Sequence, residues 1–211
     1  TSAPKNDAFY SSIDHSSENR LSFGDRNQGM SVRCIKKLPP KKVQTIVDAR
    51  DGKTYKIALI GTQTWMSQNM NFEIKNESWC YHNQESKCNK NGRLYNWSSA
   101  QKACPEGWKL PSKADYETLL NYLYKNYGEN ASSSFFLSIF IEGESGFDAQ
   151  FAGRRNTKGF YELEENTAYW WTSDKSDNNI AWRLMLDKIQ RNASLLENNI
   201  ETAFSVRCIK E

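Results

Sequence analysis

The sequence predicts an α+β fold, and three observations predict it. Strand-like runs open the main body of the chain, two helical segments follow, and short strand-like runs fill the rest, which is not a βαβ alternation. The late runs are separated by polar turns of Asn, Ser, Asp and Lys. One apolar stripe, from Tyr116 to Tyr127, has the 3.6-residue period of a helix packed against a core.

Each element has its own signal. Residues 43–48 and 55–60 are β-rich and flank Asp51-Gly52, a strong hairpin dipeptide. Residues 79–88 are polar and read as a loop, and 97–103 read as a short helix. Ser112-Lys113-Ala114-Asp115 has the form of a capping box with Asp in place of the usual Glu. Tyr116, Leu119, Leu120, Leu123, Tyr124 and Tyr127 then form the stripe, and Gly128 supplies the stop. Residues 147–153, 160–163, 169–173, 181–186 and 204–209 read as strands.

Composition narrows the function classes. The chain has 211 residues with 28 Lys+Arg against 25 Asp+Glu, and a net charge of +3 gives no field for nucleic acid. Mean hydropathy is −0.79, yet 13% of residues are aromatic, enough to build a core. The longest apolar run, Phe135 to Ile141, is far too short to span a bilayer. The chain starts at Thr1 with no Met and no charged-then-apolar leader, so it reads as a mature or excised segment. Five cysteines occur: Cys34, Cys80, Cys88, Cys104 and Cys208. None has the two-residue gap of a zinc or redox motif and no His sits at ligand spacing beside them, so no metal or other cofactor is expected. Disulfides are the better reading, and with them an oxidising, extracytoplasmic compartment.

An internal repeat accounts for the odd cysteine. Ser31-Val32-Arg33-Cys34-Ile35-Lys36 recurs as Ser205-Val206-Arg207-Cys208-Ile209-Lys210, and Thr1-Ser2 recurs as Thr172-Ser173. A period of that length is a whole domain, not a solenoid unit. Residues 1–37 therefore read as the C-terminal remnant of a preceding copy, 38–44 as a Pro-Pro linker, and 45–211 as one complete copy. On this reading Cys34 is unpaired because its partner belonged to the missing part of the first copy.

Several phrases in the complete copy resemble one family. They are Ile60-Gly61-Thr62-Gln63-Thr64-Trp65-Met66, Gln68-Asn69-Met70-Asn71, Trp79-Cys80-Tyr81 and Gly92-Arg93-Leu94-Tyr95-Asn96-Trp97. Cys104-Pro105-Glu106-Gly107-Trp108-Lys109-Leu110-Pro111-Ser112, Tyr169-Trp170-Trp171-Thr172-Ser173 and Phe204-Ser205-Val206-Arg207-Cys208 follow in order. Together they resemble the Fibrobacter succinogenes major paralogous domain, from about Ile46 to the C-terminus, with residues 1–37 similar to the end of the same domain. The family implies proteins secreted or placed on the outer surface of a Gram-negative-type bacterium, often with domains in tandem, and no established activity. The segment from Gly107 to Ser112 is also similar to a signature of C-type-lectin-like domains and formylglycine-generating enzymes. That resemblance implies two helices flanking a small irregular antiparallel sheet, with a disulfide from the first helix to the last strand. It suggests Cys104–Cys208 and Cys80–Cys88, although sequence alone allows other pairings.

The functional expectations follow from fold analogy and are correspondingly coarse. The first is a non-catalytic surface binding module for polysaccharide or another surface protein. Its candidate ligand residues are Trp170, Tyr169, Trp182 and Tyr161, whose rings would stack on sugar faces, with Arg154 as a polar contact or, by preference, an ion-pair residue. In an alternating strand one of Trp170 and Trp171 must point inward. The second is a structural spacer or assembly unit that self-associates through residues 1–37. The third is an enzyme of the formylglycine-generating type. Glu164-Glu165 reads as a solvated turn, and Glu197-Asn198-Asn199 as a turn lacking the proline of a lectin calcium loop.

Overall fold

The computed structural model describes residues 7–13, 19–25, 43–128, 132–140 and 143–211. The chain divides into two compact units, Thr1–Lys41 and Lys42–Glu211. Cys34, the first hexapeptide and linker residues 38–42 lie outside the described residues. In the first unit β1 (Asp7–Ile13) and β2 (Asn19–Asp25) form an antiparallel hairpin that pairs Phe9 with Phe23.

The second unit is α+β, mostly strands, with antiparallel sheets. Its largest sheet runs in the order β3 (Gln44–Val47), β4 (Thr54–Ile60), β5 (Gln63–Met66), β14 (Ile209–Lys210) and β8 (Trp108–Lys109). β3 and β4 make the hairpin expected at Asp51-Gly52, where Gly52 takes a φ of +75°. A second sheet stacks β11 (Thr167–Asp177), β12 (Ile180–Asp187) and β13 (Asn192–Asn199) side by side. Two short ribbons, β6 (Ser78–Trp79) with β7 (Leu94–Tyr95) and β9 (Arg154–Arg155) with β10 (Tyr161–Glu162), complete the strands. β13 ends six residues before Ser205, and β2 ends six residues before Ser31, so both copies of the hexapeptide follow a hairpin at the same spacing.

Two expected helices become four among the described residues. They are α1 (Glu85–Asn91), α2 (Trp97–Ala100), α3 (Lys113–Tyr127) and α4 (Ser132–Ile139). α1 replaces the loop expected at 79–88; it lacks a side-chain cap, so nothing local announces its start. α4 takes in most of the apolar run that begins at Phe135, and Phe135, Phe136 and Ile139, spaced one and three apart, all enter the core beside α3. Residues 147–153 are not a strand; only Ala149 makes an isolated bridge, to Phe140. β13 falls where turns were expected and contains Glu197, Asn198 and Asn199.

α3 forms as its pattern dictates. Tyr116, Leu119, Leu120 and Leu123 are buried against Trp65, Phe147, Trp170 and Leu184. Tyr124 stays half in solvent but stacks on Phe135 at 4.0 Å. Gly128 ends the helix at a φ of −90°, and a Cβ there would lie 2.4 Å from the Tyr124 carbonyl oxygen. The capping box is complete: Asp115 N–H donates to Ser112 Oγ at 3.1 Å and Ser112 N–H donates to Asp115 Oδ2 at 2.8 Å. Burial alone would raise the Asp115 carboxyl, but the Ser112 hydrogen bonds and the Lys109 ammonium together bring it below its ordinary value. A depressed carboxyl stabilises the fold above its unfolded pKa and loses that contribution as pH falls through the folded one. Ser112→Ala is therefore expected to cost about 1 kcal/mol at neutral pH and less in acid, read from urea midpoints at the two pH values.

Two apolar clusters lie on opposite faces of β11. Trp170 joins the first, with Trp65, Phe147 and the α3 stripe. Tyr169 and Trp171 join the second, with Met66, Met70, Tyr95, Phe204 and Val206. Both faces of the strand are thus covered by protein.

Candidate functional site

That double coverage removes the expected aromatic platform. Tyr169 and Trp170 are 4% and 0% exposed, so neither can stack on a ligand. Alternation along β11 decides which cluster each ring enters, not which ring meets solvent. Trp170 donates from Nε1 to Asn69 Oδ1 at 2.7 Å, and Trp171 donates from Nε1 to the Tyr95 carbonyl at 2.9 Å. Trp182, half-buried, is covered by Lys113 Nζ at 3.7 Å from its ring. Tyr161 packs on Tyr81 and His82 and donates its hydroxyl to Asn83 Oδ1 at 2.7 Å. Arg154 pairs with Glu162 at 2.8 Å across β9 and β10, the ion-pair role preferred for it. These five residues do not form one exposed surface.

The cysteines are joined as Cys80–Cys88 and Cys104–Cys208. Cys80, Glu85 and Cys88 bring three potential metal-ligand atoms within 4.8 Å of one another, but the disulfide removes both thiolates from that set.

A cleft assembles instead around two asparagine-rich segments. Gly92, just past α1, has a φ of +77° and approaches so closely that a Cβ would lie 2.6 Å from Asn69 Cβ and 2.8 Å from the Met70 carbonyl oxygen. Only glycine fits there, and Arg93 N–H then donates to that same carbonyl. The result is a pocket of about 230 Å³ walled by side-chain amides, with Tyr55 and, from α1, Cys88 and Lys90 around it. Most of the amides are committed. Asn69 Nδ2 donates to the Asn91 carbonyl, Gln150 Oε1 accepts from Asn69 N–H, and Asn91 Nδ2 donates to Glu164 Oε1. Asn71 differs: its backbone is bonded to Tyr55 and Lys53, while its buried Oδ1 has no partner among the described residues. Burial pushes the Tyr55 hydroxyl up to about 12, so it remains a neutral donor and acceptor at physiological pH.

The amide pocket shares Lys90, Asn91 and Gln150 with a second hollow of about 490 Å³. This one is floored by Phe140, Ala149 and Phe151 and edged by Lys90, Lys188 and Glu165. The Glu164-Glu165 turn is not simply solvated. Glu164 is held by Lys87 at 2.8 Å and Asn91 at 3.0 Å, and Leu163 and Glu165 both adopt left-handed backbone at φ +65° and +69°.

The family model described as Fibrobacter succinogenes major domain matches residues 59–210. This chain belongs to that family. Both disulfides of the major domain lie in the matched span, as does every residue lining the amide pocket except Lys53, Thr54 and Tyr55. The expected likeness of residues 1–37 falls outside the match. Neither a curated protein nor a solved structure matches the chain. The cleft of the major domain was legible only as family phrases, Gln68 to Asn71 and Gly92 onward. Nothing local says that they meet.

Proposed function

We propose that this major domain is a non-catalytic binding module acting outside the cytoplasm, and that its cleft takes polysaccharide. The observation that carries the reading is the amide-walled pocket with its buried, unpartnered Asn71 Oδ1. A buried acceptor without a donor costs about 1–3 kcal/mol unless water or a ligand supplies one, and sugar hydroxyls are such donors. Neutral amides and the neutral Tyr55 hydroxyl suit hydroxyl recognition better than acid–base chemistry. Glu164, largely buried beside the cleft, is occupied by Lys87 and Asn91, which weighs against a pair of carboxylates facing a scissile bond.

Two disulfides favour an oxidising compartment, and no helix among the described residues is long and apolar enough to cross a membrane. A C-type-lectin-like arrangement is supported by the Cys104–Cys208 bond and by the turn that leads through Ser112 into α3. The second reading, a spacer of a repetitive surface protein, rests on the hairpins that precede both hexapeptides at equal spacing. Self-association through residues 1–37 belongs to that reading.

Retention on immobilised glycans and cell-wall polymers tests the choice. Asn71 Oδ1 bonds no other described group, so Asn71→Leu removes an unpaired buried acceptor and is expected to hold or raise the melting temperature while weakening retention about tenfold. Folded wild-type protein retained on no polymer overturns the binding reading in favour of the spacer.

A further inference from the structure

We infer that the ligand is an acidic polysaccharide, its ring seated on Phe140 and Phe151 and its carboxylate between Lys90 and Lys188. This rests on the binding reading and names the ligand class. The two halves of the cleft differ in chemistry and meet at Lys90. One half offers amides to hydroxyls, and the other offers apolar surface to the C–H face of a pyranose. Phe151 carries Lys188 Nζ 5.9 Å from its ring centre, so aromatic surface and cation lie together.

The charge balance decides for an acidic sugar over a neutral one. Lys87 is neutralised by Glu164, whereas Lys90 and Lys188 have no ion-pair partner among the described residues. Glu165 is the carboxylate that lines this hollow, set there by left-handed backbone. Two ammonium groups against one carboxylate leave the rim one positive charge in excess. That excess suits one acid per sugar, and a chain with net charge +3 has no broader field for denser polyanions. Glu165 then works as a selectivity element: it repels ligands of higher charge density, and its removal should tighten binding to any anion.

The test is biolayer retention of the whole chain on polygalacturonate, on its methyl ester and on a sulfated galactan. The ester keeps the sugar and removes the charge, and the sulfated polymer separates carboxylate from anion in general. Wild type is expected to hold polygalacturonate about tenfold more tightly than the ester, with the sulfated polymer weaker than the carboxylate. K90Q and K188Q should each weaken the acid form about threefold and leave the ester unchanged, and E165Q should tighten it about two- to threefold. N71L should weaken all three polymers, which mere attraction of a polyanion to lysines would not do. Equal retention on acid and ester, or Lys variants that bind like wild type, overturns the acidic class and leaves polysaccharide binding standing. Stronger retention on the sulfated polymer overturns the carboxylate assignment. Retention on no polymer overturns this inference together with the reading beneath it.

Discussion

Replacing Cys104 and Cys208 together by serine is expected to lower unfolding free energy by about 4–5 kcal/mol, against roughly 2–3 kcal/mol for Cys80 and Cys88. The difference comes from loop length, since the bonds close separations of 104 and 8 residues. In the unfolded chain the longer cross-link removes more conformational freedom, and the effect grows with the logarithm of the loop. Native context points the same way. Cys208 is fully buried in the second apolar cluster, and its carbonyl accepts from Met66 N–H in the largest sheet. Cys104 follows the turn after α2, so the bond ties that segment to β14, which is only two residues long and holds β5 to β8. Losing about 4–5 kcal/mol from a domain whose total stability is of order 5–15 kcal/mol brings it near unfolding at 37 °C. Guanidinium titration of the two double-serine variants measures the difference. Equal losses would mean that local packing around the sulfurs, not loop closure, sets their contribution. Because Cys88 also lines the amide pocket, the smaller loss should come with weakened glycan retention.

How much could be read beforehand depended on whether the signal was local. The β3–β4 hairpin and α3 were legible because Asp51-Gly52 and Ser112–Asp115 encode their own geometry within a few residues. α4 was not, since its phenylalanines are matched by partners outside the segment, Phe135 by Tyr124 of α3 and Phe136 by Phe151. α1 shows the same limit, because Glu85–Asn91 carries no side-chain cap and only its first turn lies inside the loop closed by Cys80–Cys88. The candidate site was less legible than the fold. Conspicuous tryptophans drew attention to β11, yet its two faces are both core, which only tertiary structure reveals. The residues that do form a cleft are asparagines and glutamines 82 positions apart at the extremes, Gln68 and Gln150, and a polar residue type alone carries little information about burial. Gly92 was a usable signal in principle, because a glycine inside a family phrase often marks a close backbone approach.

Arg207→Met is the substitution expected to harm the fold most among single changes, by about 3–5 kcal/mol. Arg207 sits in the hexapeptide that recurs near the N-terminus, and its guanidinium is fully buried. It donates to Asn69 Oδ1 at 2.8 Å, Gln150 Oε1 at 2.9 Å, the Met66 carbonyl at 3.2 Å and the Phe147 carbonyl. The Phe147 ring lies 4.6 Å away and the Trp170 ring 5.5 Å away, so the cation is held by oxygens in its plane and π faces around it. Burial pulls its pKa down to about 9, which leaves it charged at neutral pH. The same fork orients Asn69 and Gln150, the back wall of the amide pocket, so one residue couples core and cleft. Methionine would fill much of the volume but take this donor from the Met66 and Phe147 carbonyls, each at about 1–3 kcal/mol, while Asn69 Oδ1 and Gln150 Oε1 would keep only Trp170 Nε1 and the Asn69 N–H. Lysine keeps the charge without the planar fork, and Arg207→Lys should recover only part of the loss. Denaturant midpoints at unchanged slope report the stability, and glycan retention under native conditions reports the cleft. If methionine costs less than about 1 kcal/mol, the arginine is not what fixes this wall, and the cleft must draw its shape from Gly92 and Trp170 instead.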